Sequence, residues 1–249
     1  MSAVGDVERL AALLKGAKRG VALTGAGVST ESGIPDFRSP DSGLWKEHDP
    51  MEIASLEGFR REPRAFYAFW GERFGALAGA QPNVTHHVLA RLERQGRLRG
   101  VVTQNIDGLH HDAGSETVLE VHGSYRQARC VGCRAVYPLA DMEARVKAGR
   151  LPFCDACGEL VKPDVVLFGE DLPPLFREAE RLTELADVFL VLGSSLQVHP
   201  VAGLVALAHR HGARLAIVNR EPSPYDELAE VLIHAELGAT MRALASLLD

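Results

Sequence analysis

The chain has no run of about 18 apolar residues, the shortest that crosses a membrane as a helix, and Met1-Ser2-Ala3-Val4 does not begin a secretory signal. No membrane partner is expected, and the expected location is the cytoplasm. A basic excess is missing as well: 27 Lys and Arg stand against 33 Asp and Glu, a formal net charge of -6. That excludes nucleic acid held by bulk charge and suits a cationic peptide better. Internal repeats and low-complexity tracts are absent too. What remains is an ordinary globular composition, 46% hydrophobic and 24% charged over 249 residues, enough for one large domain or two unequal ones. A monomer is the starting expectation.

Cysteine is scarce, with four in all, but its placement is informative: Cys130-Val131-Gly132-Cys133 and Cys154-Asp155-Ala156-Cys157, separated by residues 134–153. The spacing suits two knuckles sharing one tetrahedral zinc ion, and Gly132 and Gly158 suit the tight turns such knuckles need. Two disulfides are the alternative, disfavoured by the lack of any secretory feature. A redox pair is another, and each CxxC would then need its own helix start. Four thiolates leave no position for water, so a zinc ion here is expected to be structural.

The dinucleotide fingerprint is incomplete. The stretch 20–38 reads GVALTGAGVSTESGIPDFR, in which the apolar strand Val21-Ala22-Leu23 stops at Thr24 before Gly25-Ala26-Gly27. Thr30 stands where the last glycine of G-x-G-x-x-G belongs, and no acidic residue closes a second strand downstream. Ser29 and Thr30 nevertheless look like the cap and first turn of a helix whose free amides favour an anion. The stretch reads as a pyrophosphate cradle or as an ordinary strand-to-helix turn. Gly33-Ile34-Pro35-Asp36-Phe37-Arg38 then puts an acid, an aromatic and a base on a glycine-proline loop, a suitable cover for a bound cofactor.

Elsewhere strands and helices alternate. Residues 6–18 have helical spacing, and 49–80 form a helical insertion whose Phe66, Phe69, Trp70 and Phe74 recur at helical intervals and pack a small core of their own. Residues 82–95 are a helix, with His86 and His87 in packing or polar roles. Strand 100–103 runs into Gln104-Asn105-Ile106-Asp107-Gly108-Leu109-His110, polar residues where open α/β sheets bind ligands, or else a helix cap by Asn105 or Asp107. Strand 117–121 ends at His122, a placement suited to acid-base work. Strand 164–168 ends in Gly169-Glu170, and strand 187–192 closes on Gly193-Ser194-Ser195, a turn suited to phosphate or ribose. Strand 214–218 precedes Asn219-Arg220-Glu221, an amide and a carboxylate suited to ribose hydroxyls. Helices over 139–147, 200–211 and 239–248 and a strand over 231–233 complete an α/β fold, a doubly wound parallel sheet with two insertions.

In order, these runs resemble the sirtuins, the NAD-dependent protein deacylases, over nearly the whole chain. The matching runs are Gly25 to Ser29, Gly33 to Arg38, Thr103 to His110, Leu119 to Gly123, the four cysteines, Phe168 to Glu170, Gly193 to Ser195 and Val218-Asn219. The resemblance implies a single catalytic unit: a Rossmann-like large domain, about 1–38, 82–123 and 164–249, and a small domain from the helical insertion, about 39–81, and a zinc ribbon, about 124–163. NAD, as cosubstrate, and an acyl-lysine protein or peptide would meet between them.

The resemblance further implies that Gly25, Ala26, Gly27 and Ser29 hold the pyrophosphate with Gly193 and Ser194, Ser195 lying alongside. Pro35, Asp36, Phe37 and Arg38 would form a mobile cofactor loop, Phe37 shielding the reactive sugar carbon. Gln104, Asn105, Ile106 and Asp107 would shape the nicotinamide pocket, with Asp107 taking the carboxamide. Asn219 and Glu221 would meet the adenosine ribose, and Glu236 the adenine. Val166, Phe168, Gly169 and Glu170 would line the lysine tunnel, adding substrate backbone as a strand, and Tyr67 would serve the acyl group. Cys130, Cys133, Cys154 and Cys157 would hold one zinc ion.

Catalysis would fall to His122 and Asn105, His122 as general base on the ribose hydroxyls, help typically worth about 10²- to 10⁴-fold. Products would be free lysine, nicotinamide and an O-acyl-ADP-ribose. Sirtuins that prefer succinyl or malonyl groups carry Tyr-x-x-Arg, whereas Tyr67-Ala68-Phe69-Trp70 has no arginine, so acetyl or a longer apolar acyl group is expected. Arg64 or Arg73 would compensate only in a different helix register. Protein ADP-ribosyl transfer and desuccinylation or demalonylation are the competing activities, and a zinc-ribbon binding module without turnover is the non-enzymatic one.

Overall fold

The computed structural model describes residues 3–36 and 49–248. Helix α1 (Ala3–Gly16) lays Leu10, Leu13 and Leu14 on the sheet and leads into strand β1 (Gly20–Thr24), buried at every position. Two single 3₁₀ turns follow, Ala26–Val28 and Thr30–Ser32, not the expected helix. Ser29 caps neither with its side chain, because its hydroxyl is committed elsewhere in the fold.

The insertion contains α2 (Pro50–Ile53), α3 (Leu56–Arg61) and α4 (Pro63–Gly79). Helix α5 (Val84–Arg94) starts at Asn83, whose side chain accepts from Thr85 N while His86 returns the bond to the Asn83 amide. Strand β2 (Leu98–Thr103), the short α6 (Leu109–Asp112) and β3 (Val118–Glu120) come next. Strands β4 (Gly123–Cys130) and β5 (Val136–Pro138), helix α7 (Leu139–Lys147) and β6 (Val161–Val165) make up the cysteine-bearing module. Helix α8 (Leu175–Glu184), β7 (Val188–Leu192), α9 (Gly203–Arg210), β8 (Arg214–Asn219), β9 (Val231–His234) and α10 (Leu237–Leu247) finish the chain.

The main sheet has the order β3-β2-β1-β7-β8-β9, with every pair parallel. One face is covered by α1, α5 and α10, the other by α8 and α9, which is why its strands read as unbroken apolar runs. Strand order reverses between β1 and β7, so a crevice opens beyond their carboxyl ends. A second sheet, β5-β4-β6, is antiparallel. The expected strand over 164–168 is thus corrected: β6 belongs to this smaller sheet, and the chain leaves the ladder after Val165.

The insertion does not keep a separate core. Phe59, Phe66, Tyr67 and Trp70 join Ala128, Cys130, Val161 and Leu167 in one apolar cluster, so insertion and cysteine module share an interior. Phe66 meets Phe59 edge-on at 4.8 Å and Tyr67 at 5.5 Å, contacts worth about 0.5–1.5 kcal/mol each beyond the area they bury. Among the described residues no helix is long and apolar enough to cross a membrane.

Candidate active site

A cavity of about 1080 Å³ lies beyond the carboxyl ends of β1, β2, β7 and β8, with the segment after β6 and helix α4 as its far walls. Its floor is two glycine turns packed backbone to backbone. Gly25 N donates to Leu192 O at 3.1 Å and Gly27 N to Gly193 O at 2.9 Å. A Cβ on Gly25 would lie 2.7 Å from Gly193 O, and one on Gly27 2.8 Å from the Gly193 Cα. These glycines therefore serve the meeting of the two turns before they serve any ligand.

Beside the floor, one hydroxyl joins the turn after β1 to the turn after β2. Ser29 Oγ donates to Asp107 Oδ2 at 2.6 Å and accepts from Asn105 Nδ2 at 3.1 Å, while Asn105 Nδ2 also reaches Gly25 O at 3.1 Å. All three side chains are buried. Burial pushes the Asp107 carboxyl above its ordinary value, against the hydrogen bonds from Ser29 and the Leu109 amide. Gln104 lies next to this group, its Nε2 donating to Ser194 Oγ at 2.8 Å.

His122 follows β3. Its Nδ1 pairs with the Gln104 carbonyl at 3.2 Å, which fixes the proton there and leaves Nε2 as a base toward the cavity. Burial pulls its pKa below the ordinary histidine value, only partly opposed by Gln104, so the ring is neutral at neutral pH.

The far wall differs from expectation in three places. Phe168 lines the cavity, but its amide donates to Ala54 O and its carbonyl accepts from Leu56 N, both at 2.9 Å, so it offers no main-chain pairing to a substrate. Glu170 lines the cavity as well, but its carboxylate is engaged by Leu167 N and Lys162. Tyr67 faces the shared core, its hydroxyl donating to Val161 O at 2.6 Å, and lies away from the cavity. Val166 and Gly169 do line the wall, and Val166 N donates to His122 O at 2.8 Å.

Several cavity residues escaped the sequence reading. Helix α4 adds Leu77 to the cavity beside Trp70 and Arg73, and Trp70 and Leu77 are at the same time part of the shared core. Arg73 lies with its guanidinium 3.5 Å from the Phe69 ring centre. Gln197, Val198 and His199 continue from the Gly193–Ser195 turn along the opposite side, and only that adjacency could have marked them.

At the nucleotide end, Asn219 holds Ser194 through two bonds, Oδ1 accepting from Ser194 N at 3.0 Å and Nδ2 donating to Ser194 O at 2.7 Å. It braces the β7 and β8 turns and lines the cavity. Arg220 joins Glu221 at 3.6 Å to Glu236 at 3.8 Å. Ala26, Pro35, Asp36, Ile106 and Ser195 also line the cavity, whereas Phe37 and Arg38 lie outside the described residues. A narrow backbone floor, a polar pocket beside it and acidic groups at one end are together a fit for a dinucleotide.

The four cysteines converge. Their Sγ atoms all lie within 4.8 Å of one another, with Cys130 and Cys157 at 3.4 Å and Cys133 and Cys154 at 3.6 Å. These separations are too long for disulfides and match the edges of a tetrahedron with Zn–S bonds of about 2.3 Å. The donor set therefore fits structural zinc.

Comparison with known proteins agrees with this geometry. The family model described as the Sir2 family matches residues 25–200. A protein named NAD-dependent protein deacetylase from Sulfolobus acidocaldarius is 43% identical over 238 residues, covering 95% of this chain and 93% of the relative. One named NAD-dependent protein deacylase 2 from Archaeoglobus fulgidus is 44% identical over 239 residues, covering 95% and 93%. A Sir2 structure with deacetylated p53 peptide and 3'-O-acetyl-ADP-ribose superposes with a TM-score of 0.91 at 38% identity, covering 96% of this chain and 97% of that one. Another, with p53 peptide and NAD+, gives 0.88 at 38% identity and covers 96% of each chain. The chain belongs to the Sir2 family.

Proposed function

We propose that the protein is an NAD-dependent protein lysine deacetylase that converts acetyl-lysine, NAD and water to free lysine, nicotinamide and O-acetyl-ADP-ribose. The observation that carries this reading is the neutral His122, tied through Gln104 to the glycine floor and through Val166 to the apolar wall. When bound, NAD supplies the ribose carbon that accepts the acyl oxygen as nicotinamide leaves.

The chain's own residues divide the remaining work. Gly25, Ala26, Gly27, Gly193 and Ser194 cradle the pyrophosphate, and Asn105, Ile106 and Asp107 enclose the carboxamide. Val166, Leu167, Phe168 and Trp70 exclude water from the acyl-lysine side. His122 Nε2 takes the proton from a ribose hydroxyl. The cysteine module supports the far wall, because β6 runs directly into it. The large body comprises about 1–38, 82–123 and 164–249, and the small one about 39–81 and 124–163. Cytoplasmic location and a monomeric state belong to this reading on composition alone.

Matched acetyl- and succinyl-lysine peptides with NAD test it. Turnover of the acetyl peptide supports the reading and the meaning of Trp70. Turnover of the succinyl peptide alone refutes the acyl assignment, and turnover of neither refutes the activity.

A further inference from the structure

Lysine within a strand is seldom buried, yet the Lys162 side chain on β6 is only 4% exposed. Its ammonium lies 3.0 Å from Glu170 Oε2 and donates to Val165 O and to Pro163 O, so its three protons meet three acceptors. The same Glu170 oxygen accepts from Leu167 N at 2.8 Å, and Glu170 N returns a bond to Leu167 O at 3.0 Å. Gly169, at φ +87°, makes the tight return possible. Residues 162–170 are thus folded around one buried charge.

The outer surface of this fold is the cavity wall formed by Val166, Leu167, Phe168 and Gly169. Two other attachments hold it, Val166 to His122 and Phe168 to Ala54 and Leu56. Lys162, behind the wall, provides the third through Glu170 at the wall's edge. Burial draws the Lys162 pKa below the ordinary lysine value, and Glu170 works against that. A buried ion pair is a poor device for stability alone, since apolar side chains of like volume serve as well or better. Its effect is to fix shape, and here the shape is that of the wall.

We propose that Lys162 and Glu170 are positioning residues for the acyl-lysine peptide: their buried ion pair sets the form of the Val166–Gly169 wall and so the peptide's affinity. The inference rests on the deacetylase reading; Lys162 lies outside the cavity lining, and Glu170 acts through its hold on Leu167 N.

The test is steady-state kinetics on the full chain, with NAD saturating and acetyl-lysine peptide varied, for Lys162→Met, Glu170→Gln, Lys162→Arg and the double change to methionine. Each single neutral variant should raise the peptide KM roughly tenfold, with the NAD KM within about twofold of the parent and kcat reduced far less than KM rises. Lys162→Arg, which keeps a donor fork toward Glu170, should restore most of the peptide affinity. The double variant should be no worse than the weaker single one, as for two partners of one interaction. ADP-ribose binding and the melting transition report folding; if Lys162→Met fails to fold, the near-isosteric Glu170→Gln carries the test. Peptide KM values within twofold of the parent would overturn the proposal. So would a joint rise of both KM values with an equal loss of kcat, which marks general damage. A parent protein that binds NAD but turns over no acetyl peptide would overturn the deacetylase reading itself.

Discussion

The Ser29 hydroxyl donates a hydrogen bond to Asp107 Oδ2 at 2.6 Å, with both side chains buried and Asn105 Nδ2 donating to the same hydroxyl oxygen. One hydroxyl between β1 and β2 therefore orients both polar groups of the proposed nicotinamide pocket. Ser29→Ala leaves a buried carboxylate short of a donor and an amide short of an acceptor, a cost of about 1–3 kcal/mol. It also removes a hydrogen bond that holds the Asp107 pKa down, so the carboxyl is protonated at a higher pH. The expected result is a roughly ten- to hundredfold loss of nicotinamide release, with NAD binding still detectable by calorimetry.

His122 should govern the acid limb of the pH profile. In the proposed reaction the neutral ring is the active form, and burial lowers its pKa below 6.5. Activity is then retained below pH 6.5 and lost as pH falls through the lowered value. His122→Ala should reduce kcat by about 10²- to 10⁴-fold and abolish that limb while sparing NAD affinity. A limb lying above 6.5 would place the base elsewhere.

The strands of the large sheet, the helical insertion and the cysteine module could be read from sequence, and the contacts between them could not, for physical reasons. Buried parallel strands are continuous apolar runs, so β1, β7 and β8 declare themselves. The Ser29 hydroxyl looked like a helix cap because caps and buried hydrogen bonds use the same residue types, and only tertiary contact with Asp107 decides between them. Tyr67 and Trp70 are three residues apart on α4 and both pack in the shared core, yet only Trp70 also reaches the cavity, a distinction carried by the packing of β6 against the helix. Asn219 lines the cavity at the place its strand end suggests, whereas its clasp on Ser194 depends on the parallel register of β7 and β8.

Removal of metal should act first on the cysteine module. Structural zinc contributes roughly 10–16 kcal/mol in isolated finger peptides, and here Cys130 and Cys154 also belong to the core shared with α4. Cys130→Ser, or prolonged chelation, should lower the melting temperature and abolish peptide turnover together. Elemental analysis should give one zinc per chain, and turnover unchanged after zinc is stripped would refute the structural role.

Two buried histidines should make the fold sensitive to acid. His110 Nε2 meets Thr24 Oγ1 at 2.9 Å, His86 Nδ1 accepts from the Asn83 amide, and the rings lie 4.8 Å apart. Burial lowers the His86 pKa to about 4 and the His110 pKa to about 3. The unfolded chain takes up protons near pH 6.5 and the folded one does not, so this stability is complete above 6.5 and is lost as pH falls toward 4 and 3. Denaturation midpoints between pH 7 and 4 should fall, and His86→Asn with His110→Asn should flatten the dependence.

The central claim is that the acyl group passes from lysine to ADP-ribose rather than to water alone. A peptide carrying an isotopically labelled acetyl-lysine, incubated with NAD and the protein, resolves this by mass spectrometry. The account predicts equal amounts of nicotinamide, free-lysine peptide and labelled O-acetyl-ADP-ribose. Label released directly as free acetate, or ADP-ribose found attached to a peptide that keeps its acetyl group, would contradict it.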